Sequence, residues 1–289
     1  MLQRELETAI ALARMAGSSI LSHYEAGFIT EHKIGVDNFS EVVTVADREA
    51  SQIIVGGIEE QFPTDGILSE EETDDIHLRL SHERVWIIDP IDGTAGFIDH
   101  DGDFVVQIGL ASKGVPVMGV LYQPFYDVLS YAIKGSGSFI VRQGGEPQRA
   151  RTSNLYELRS MTMAISRHHP SRRLSRIIKE FGVKRTVQRG SVGLKISLLA
   201  DQTCDVYISP GERTKLWDTC APQVILEEAG GRFTDMFGYE LRYDKADLQN
   251  RNGLLATNGK AHAAAVKRLA PLLREFGRVP HGVGGRANQ

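Results

Sequence analysis

The sequence predicts an α/β protein built in two unlike parts, an α+β half followed by an alternating α/β half. Three observations carry that expectation. Two amphipathic helical stretches open the chain, at 2–24 and 47–61. Short apolar runs separated by tight turns then fill residues 85–141, the pattern of an antiparallel sheet. After a polar stretch at 144–154, strand-like and helix-like segments alternate as far as residue 275. The change of pattern places a boundary near Gly145, dividing the chain into 1–145 and 146–289.

The elements follow in order. Leu6, Ile10, Ala13, Gly17 and Leu21 recur at helical spacing between charged residues, so the first segment is an amphipathic helix of the fold and not a signal peptide. The second helix is closed by Phe62-Pro63. Ile67 and Leu68 form a short apolar stretch before Glu70, and 85–88 is a buried strand that opens into a loop at Asp89-Pro90. Strands at 105–111 and 115–122 are joined by a turn at Lys113-Gly114, and strands at 128–133 and 138–141 continue the sheet. In the second half, strands are expected at 161–165, 205–208 and 254–256, with helices at 172–181, 192–200, 218–230 and 261–275. Gly230-Gly231 stops the third of these helices. Residues 279–289 are rich in glycine without periodicity and read as a loose tail.

Composition bounds the function. Of 289 residues, 42% are hydrophobic and 24% charged, as in an ordinary soluble globular protein, and the net charge of −4 gives no reason to expect a nucleic-acid polymer as partner. No segment is apolar enough for a membrane span. The two cysteines, Cys204 and Cys220, form neither a disulfide framework nor a metal-ligand spacing, which fits reduced thiols in a cytoplasmic protein.

Chemistry is concentrated in acids at the ends of elements. Asp47 and Asp218 sit at helix starts, Glu70 and Glu71 follow an apolar stretch, and Asp89 and Asp92 flank Pro90-Ile91. Taken alone, an aspartate at a helix start is an N-cap more often than a ligand, and residues 70–72 read as a solvated acidic run. Asp89-Pro90-Ile91-Asp92-Gly93-Thr94 is more specific, because a plain turn needs no second aspartate and no threonine at that spacing. Pro90 fixes the turn, Asp92 can return toward Asp89, and Gly93 permits close backbone approach. A helical turn starting at Thr94 would set an anion site beside the carboxylates. Asp47, Glu70, Asp89, Asp92 and Asp218 together carry a charge of about −5, and two or three divalent cations would offset it.

These motifs resemble those of the lithium-sensitive inositol monophosphatase superfamily. The 89–94 segment matches its central motif, and Trp217-Asp218 with Ala221 and Glu228-Ala229-Gly230-Gly231 resembles its second. Ser69-Glu70-Glu71 resembles its Gly-Glu-Glu, and residues 44–47 its Thr-x-x-Asp. The four occur in family order and the likeness spans residues 5–270. The resemblance implies a layered αβαβα sandwich and Mg²⁺-dependent hydrolysis of a small phosphomonoester, with lithium inhibition. By matching position, Glu70, Asp89, the Ile91 carbonyl, Asp92 and Asp218 would hold two or three Mg²⁺ ions. Asp47 and Thr94, with Glu70, would position and deprotonate the attacking water, and the Gly93 and Thr94 amides would hold the phosphate.

Within the superfamily, residues 96–108, 190–195 and 241–245 resemble the CysQ-like 3'(2'),5'-bisphosphate nucleotidase branch, which implies conversion of 3'-phosphoadenosine 5'-phosphate to AMP and phosphate. In that branch Ser191 and Lys195 would contact substrate. Ala95 stands where the branch has lysine, and Cys220 where it has alanine. Inositol monophosphatases carry a glutamate seven residues before the second-motif aspartate; here that place is Gly211, with Glu212 beside it. Inositol-1-monophosphate or a sugar phosphate is the alternative substrate. A non-catalytic phosphate-ligand sensor is the alternative class, disfavoured because no metal-binding carboxylate of the pattern is missing. A homodimer is compatible with all of these readings.

Read without the resemblance, Lys195 is equally an ordinary surface lysine or a phosphate contact on the same helix face as Ser191. The basic residues between Arg167 and Arg189 read first as a solvated helix with its flanks, His168-His169 as surface residues, and Trp217 as a packing anchor.

Overall fold

A computed structural model describes residues 2–26, 30–35, 40–167 and 171–281. Helix α1 (Gln3–Ala26) leads into a hairpin of β1 (Thr30–Ile34) and β2 (Ser40–Thr44), then α2 (Val45–Gln61). There follow β3 (Gly66–Ser69), α3 (Ile76–Ser81), β4 (Arg84–Asp92), α4 (Thr94–Ile98), β5 (Val105–Ser112), β6 (Val115–Gln123), β7 (Val128–Ile133), β8 (Gly137–Arg142) and β9 (Gln148–Arg149). Seven strands, β3 to β9, pair in sequence order, antiparallel except for β3 on β4.

The remainder runs β10 (Thr162–Ser166), α5 (Arg172–Phe181), β11 (Arg185–Arg189), α6 (Val192–Ala200), β12 (Val206–Ser209), α7 (Cys220–Glu228), β13 (Arg232–Thr234), β14 (Leu254–Thr257) and α8 (His262–Glu275). Its five strands take the order β11-β10-β12-β14-β13, with β10 parallel to both β11 and β12 and the pairs at β14 antiparallel.

Alternation along the strands sets the layers. Trp86 and Ile88 of β4 point into a core with Leu6, Ala13 and Ile20 of α1 and Ile54 and Ile58 of α2. Val85 and Ile87 point the other way, toward Val192 and Ile196 of α6 and Cys220 of α7. The same core takes Ala164, Tyr207 and Ala256 from the second sheet, whose Met163, Val206 and Leu255 face α5 and α8 instead. Helices α6 and α7 therefore lie between two sheets that are each covered by a helix pair outside, the αβαβα sandwich. Gly109 and Gly119, paired across β5 and β6, let α7 rest directly on the first sheet: a Cβ at Gly119 would fall 2.4 Å from the Ala221 carbonyl oxygen.

Several boundaries differ from expectation. Strand β4 does not open at Asp89; it continues to Asp92 with its register shifted between those residues, because Pro90 cannot donate to the ladder. Helix α7 begins at Cys220, two residues after Asp218. The hairpin β1–β2, α3, β9, β11 and β13 lack a sequence signal: β11 reads Arg-Thr-Val-Gln-Arg, an edge strand with one apolar residue on the flank of the basic helix. The exposed Arg172 and Arg173 on α5 do have that solvated character. His168-His169 and most of the expected tail, 282–289, lie outside the described residues.

Candidate active site

The central motif is carried by a fully covered strand. Asp89 and Asp92 are 1% and 7% exposed at the end of β4, and Asp218 meets them from the turn before α7. One carboxylate oxygen from each lies within 4.8 Å of the others. Glu70, following β3, hydrogen-bonds its amide to the Ile88 carbonyl at 3.2 Å and reaches the same cluster. Burial, followed by the charges of Glu70, Asp92 and Asp218, pushes the Asp89 carboxyl well above the usual range. Its Oδ1 is buried with no hydrogen-bond partner among the described residues. An all-oxygen donor set with an orphaned, mutually repelling carboxylate oxygen fits a hard divalent cation, so the cluster could bind metal.

Asp92 is held from both halves. Its Oδ2 accepts from the Ser191 hydroxyl, from the Gly193 amide at 2.8 Å and from Gln107 Nε2 at 2.5 Å. Ser191 is the N-cap of α6, so the positive end of that helix faces the carboxylate. Burial raises the Asp92 pKa, and Ser191 and the Gly193 amide oppose the rise.

Gly93 turns the chain with φ +102°, and a Cβ there would fall 2.4 Å from the Asp103 carbonyl oxygen. Helix α4 then starts at Thr94, whose Oγ1 lies 3.2 Å from the Ile91 carbonyl and 3.3 Å from Asp47 Oδ1, so its proton can go to either. Asp47 serves two purposes. Its Oδ2 accepts from the Thr44 amide at 2.7 Å and hydroxyl at 2.6 Å, closing a capping box on α2, while Oδ1 faces Thr94. Burial lifts its carboxyl to about 6 against the lowering effect of the Thr44 hydrogen bonds.

Lys195 is 2% exposed, which removes the surface reading. Its Nζ donates to the Gly190 carbonyl at 2.8 Å and the Arg189 carbonyl at 3.4 Å, and lies 5.2 Å from the centre of the Tyr207 ring. Burial depresses its pKa to about 8, with Asp92 and Asp218 resisting.

A cavity of about 420 Å³ brings these groups together. Glu70, Asp89, Ile91, Asp92, Gly93, Thr94, Lys195 and Asp218 all line it; Asp47 and Ser191 stand just behind Thr94 and Asp92. Sequence reasoning missed four contributors. Gln107 had a signal, a polar residue in an otherwise apolar strand, whereas Lys33, Arg213 and Lys215 had none. Lys33 pairs with Glu71 and lies 3.6 Å from Glu70 Oε1; Arg213 and Lys215 line the wall before Asp218. Glu212 does not line the cavity: it pairs with Arg278 Nη1 at 2.7 Å, leaving Gly211 on the wall.

Comparison with known proteins identifies the family. The model of the inositol monophosphatase family matches residues 1–274. The 3'(2'),5'-bisphosphate nucleotidase CysQ of Salmonella typhimurium is 33% identical over 238 residues, covering 82% of this chain and 93% of that protein. A fructose-1,6-bisphosphatase/inositol-1-monophosphatase of Thermotoga maritima is 30% identical over 274 residues, 94% of this chain and 98% of its own. The crystal structure of CysQ from Bacteroides thetaiotaomicron superposes with a TM-score of 0.74 at 30% identity, covering 89% of this chain and 98% of that one. The chain belongs to the inositol monophosphatase family and is a phosphoric monoester hydrolase.

Proposed function

We propose that this phosphatase is Mg²⁺-dependent and converts 3'-phosphoadenosine 5'-phosphate to AMP and phosphate. The observation that carries the substrate is a second, cationic wall: Lys195, Arg213 and Lys215 line the same cavity as the carboxylates, which suits a substrate with two phosphates. Gly211 leaves that wall without the acid that would bind a polyol hydroxyl, since Glu212 is committed to Arg278. The kinship with CysQ proteins supports the same reading.

In this reading residues 1–145 supply most of the metal ligands, and 146–289 supply Asp218 and the substrate side. Glu70, Asp89, the Ile91 carbonyl, Asp92 and Asp218, which line one cavity, would hold two or three ions. Bound Mg²⁺ supplies charge neutralisation for the phosphate and for the departing ribose oxygen. The protein's own groups do the rest. The Gly93 and Thr94 amides orient the scissile phosphate. An attacking water gives its proton to Thr94 Oγ1 as the Thr94 proton passes to Asp47 Oδ1, 3.3 Å away, with Glu70 orienting that water. Ser191 keeps Asp92 aimed, and Lys195 meets the second phosphate.

Phosphate release from a panel of 3'-phosphoadenosine 5'-phosphate, inositol 1-phosphate and fructose 1,6-bisphosphate, with and without Mg²⁺, tests this. The nucleotide should lead in kcat/KM. A lead of about tenfold or more for inositol 1-phosphate would sink the substrate assignment and leave the phosphatase chemistry standing.

A further inference from the structure

One buried residue outside the carboxylate cluster touches both walls of the cavity. Asp103, 2% exposed, lies between α4 and β5. Its carbonyl oxygen fills the space beneath the phosphate turn, 2.4 Å from where a Cβ of Gly93 would stand and 2.6 Å from that of Gly96. Its carboxylate points across to the second half. Oδ2 accepts from the Gly190 amide at 2.9 Å and pairs with Arg167 Nη2 at 3.0 Å, while Oδ1 lies 3.6 Å from Arg189 Nε.

The two arginines come from the ends of adjacent parallel strands. Ser166 and Arg189 are register partners on β10 and β11, and the Arg167 amide donates to the Arg189 carbonyl at 3.1 Å. Arg167 also grips Asp101, whose Oδ1 accepts from the Asp103 amide at 2.8 Å. Gly190 is thus fixed through both of its backbone polar groups: its N–H by Asp103 and its carbonyl by Lys195. A buried carboxylate met by one amide and two guanidinium groups is a rigid spacer, because losing any partner leaves charge uncompensated.

We infer that Asp103 is a positioning residue that sets the separation between the Gly93–Thr94 turn and the Gly190–Ser191 turn, and thereby the preference for phosphate esters long enough to touch both walls. The inference rests on the cavity being the substrate site as proposed above. A short ester, engaging only the carboxylates and α4, feels a shift of Gly190 only through the bonds from Ser191 and Gly193 to Asp92. An ester carrying a second phosphate feels it there and again at the Gly190 and Lys195 wall.

The test compares wild type with Asp103→Asn and Asp103→Ala on glycerol 2-phosphate and on 3'-phosphoadenosine 5'-phosphate, at saturating Mg²⁺, with melting curves to confirm folding. The nucleotide-to-glycerol ratio of kcat/KM should fall about tenfold or more, the size expected for losing a charged hydrogen bond that orders one wall. Arg167→Gln, which loosens the same carboxylate while keeping Asp103 in place, should move the ratio in the same direction and covers the case in which the Asp103 variants fail to fold. Equal losses on both esters, or an unchanged ratio, would overturn the inference. If wild type does not turn over the nucleotide, the nucleotide reading falls by itself, and the ratio is taken with fructose 1,6-bisphosphate instead.

Discussion

Replacing Lys195 by methionine removes an ammonium group from the interior while keeping the length of the side chain, and the structure sets the expected size of each consequence. Burial takes the Lys195 pKa from 10.5 to about 8. A depression of that size corresponds to about 3 kcal/mol of stability withheld at neutral pH. The sign follows from proton counts. Between about 8 and 10.5 the unfolded chain binds more protons at this position than the folded one. Stability therefore rises with pH across that window, and the penalty is fully present below about 8. Methionine relieves the penalty but gives up the hydrogen bonds to the Gly190 and Arg189 carbonyls and the contact with Tyr207, together about 2–4 kcal/mol. The two effects nearly cancel, so Lys195→Met should lie within about 2 kcal/mol of wild type at pH 7. Denaturant titrations in chelator from pH 7 to 10 should show wild type gaining on the variant as pH rises. Meanwhile kcat/KM for the bisphosphate should fall about 30-fold or more, the worth of a charged contact to phosphate. A variant that follows the wild-type pH curve would refute the buried-ammonium reasoning, and one with unchanged kcat/KM would remove Lys195 from the substrate site.

Three further outcomes are expected. Asp92→Asn should lower kcat by about a thousandfold or more while the melting temperature moves only slightly, since the amide keeps an oxygen for Ser191 and Gly193 but loses the charge; retained turnover would refute its assignment as a ligand. Asp47, lifted to about 6, accepts a proton only when ionised, so kcat should decline as pH falls through about 6, and Asp47→Asn should lose most turnover at every pH; a wild-type rate flat down to pH 5 would exclude it as the base. Burial disfavours ionised Asp89 and Asp92, and the charges of Glu70, Asp92 and Asp218 add to it at Asp89, so the metal-free protein should grow less stable at this cluster as pH rises above the ordinary carboxylate range of about 4, and millimolar Mg²⁺ should raise the melting temperature more at pH 7 than at pH 5. Calorimetry showing no Mg²⁺-dependent shift at pH 7 would contradict a metal site there.

Legibility of the site tracked chain distance. Asp89, Ile91, Asp92, Gly93 and Thr94 lie within six consecutive positions, and their spacing restricts what the backbone can do, so the glycine turn and the start of α4 could be read in advance. The error there was local: Pro90 does not end β4, because a bulge absorbs its missing donor and pairing resumes at Asp92 with Val105. Asp47 looked like a cap or a ligand, and the structure gives each role its own oxygen. Lys195 was ambiguous because helical spacing from Ser191 says which face it shares and nothing about what covers that face. Arg213 and Lys215 carried no motif, and Asp103 sat in the 96–108 stretch without a role, since what they meet depends on which loops the second sheet brings up to the first.

The sequence by itself determined the types of the longer elements and the acids at their ends, because periodicity and short spacings are enforced by backbone geometry within a few residues, and its motifs, by their resemblance, pointed to the family to which the chain belongs. Only the tertiary structure decided which half supplies each wall. The layering places α6 between the sheets, turns Ser191 and the Gly193 amide onto Asp92 and buries Lys195. Contacts between residues about a hundred positions apart follow from the packing of whole layers, and no local pattern encodes that packing.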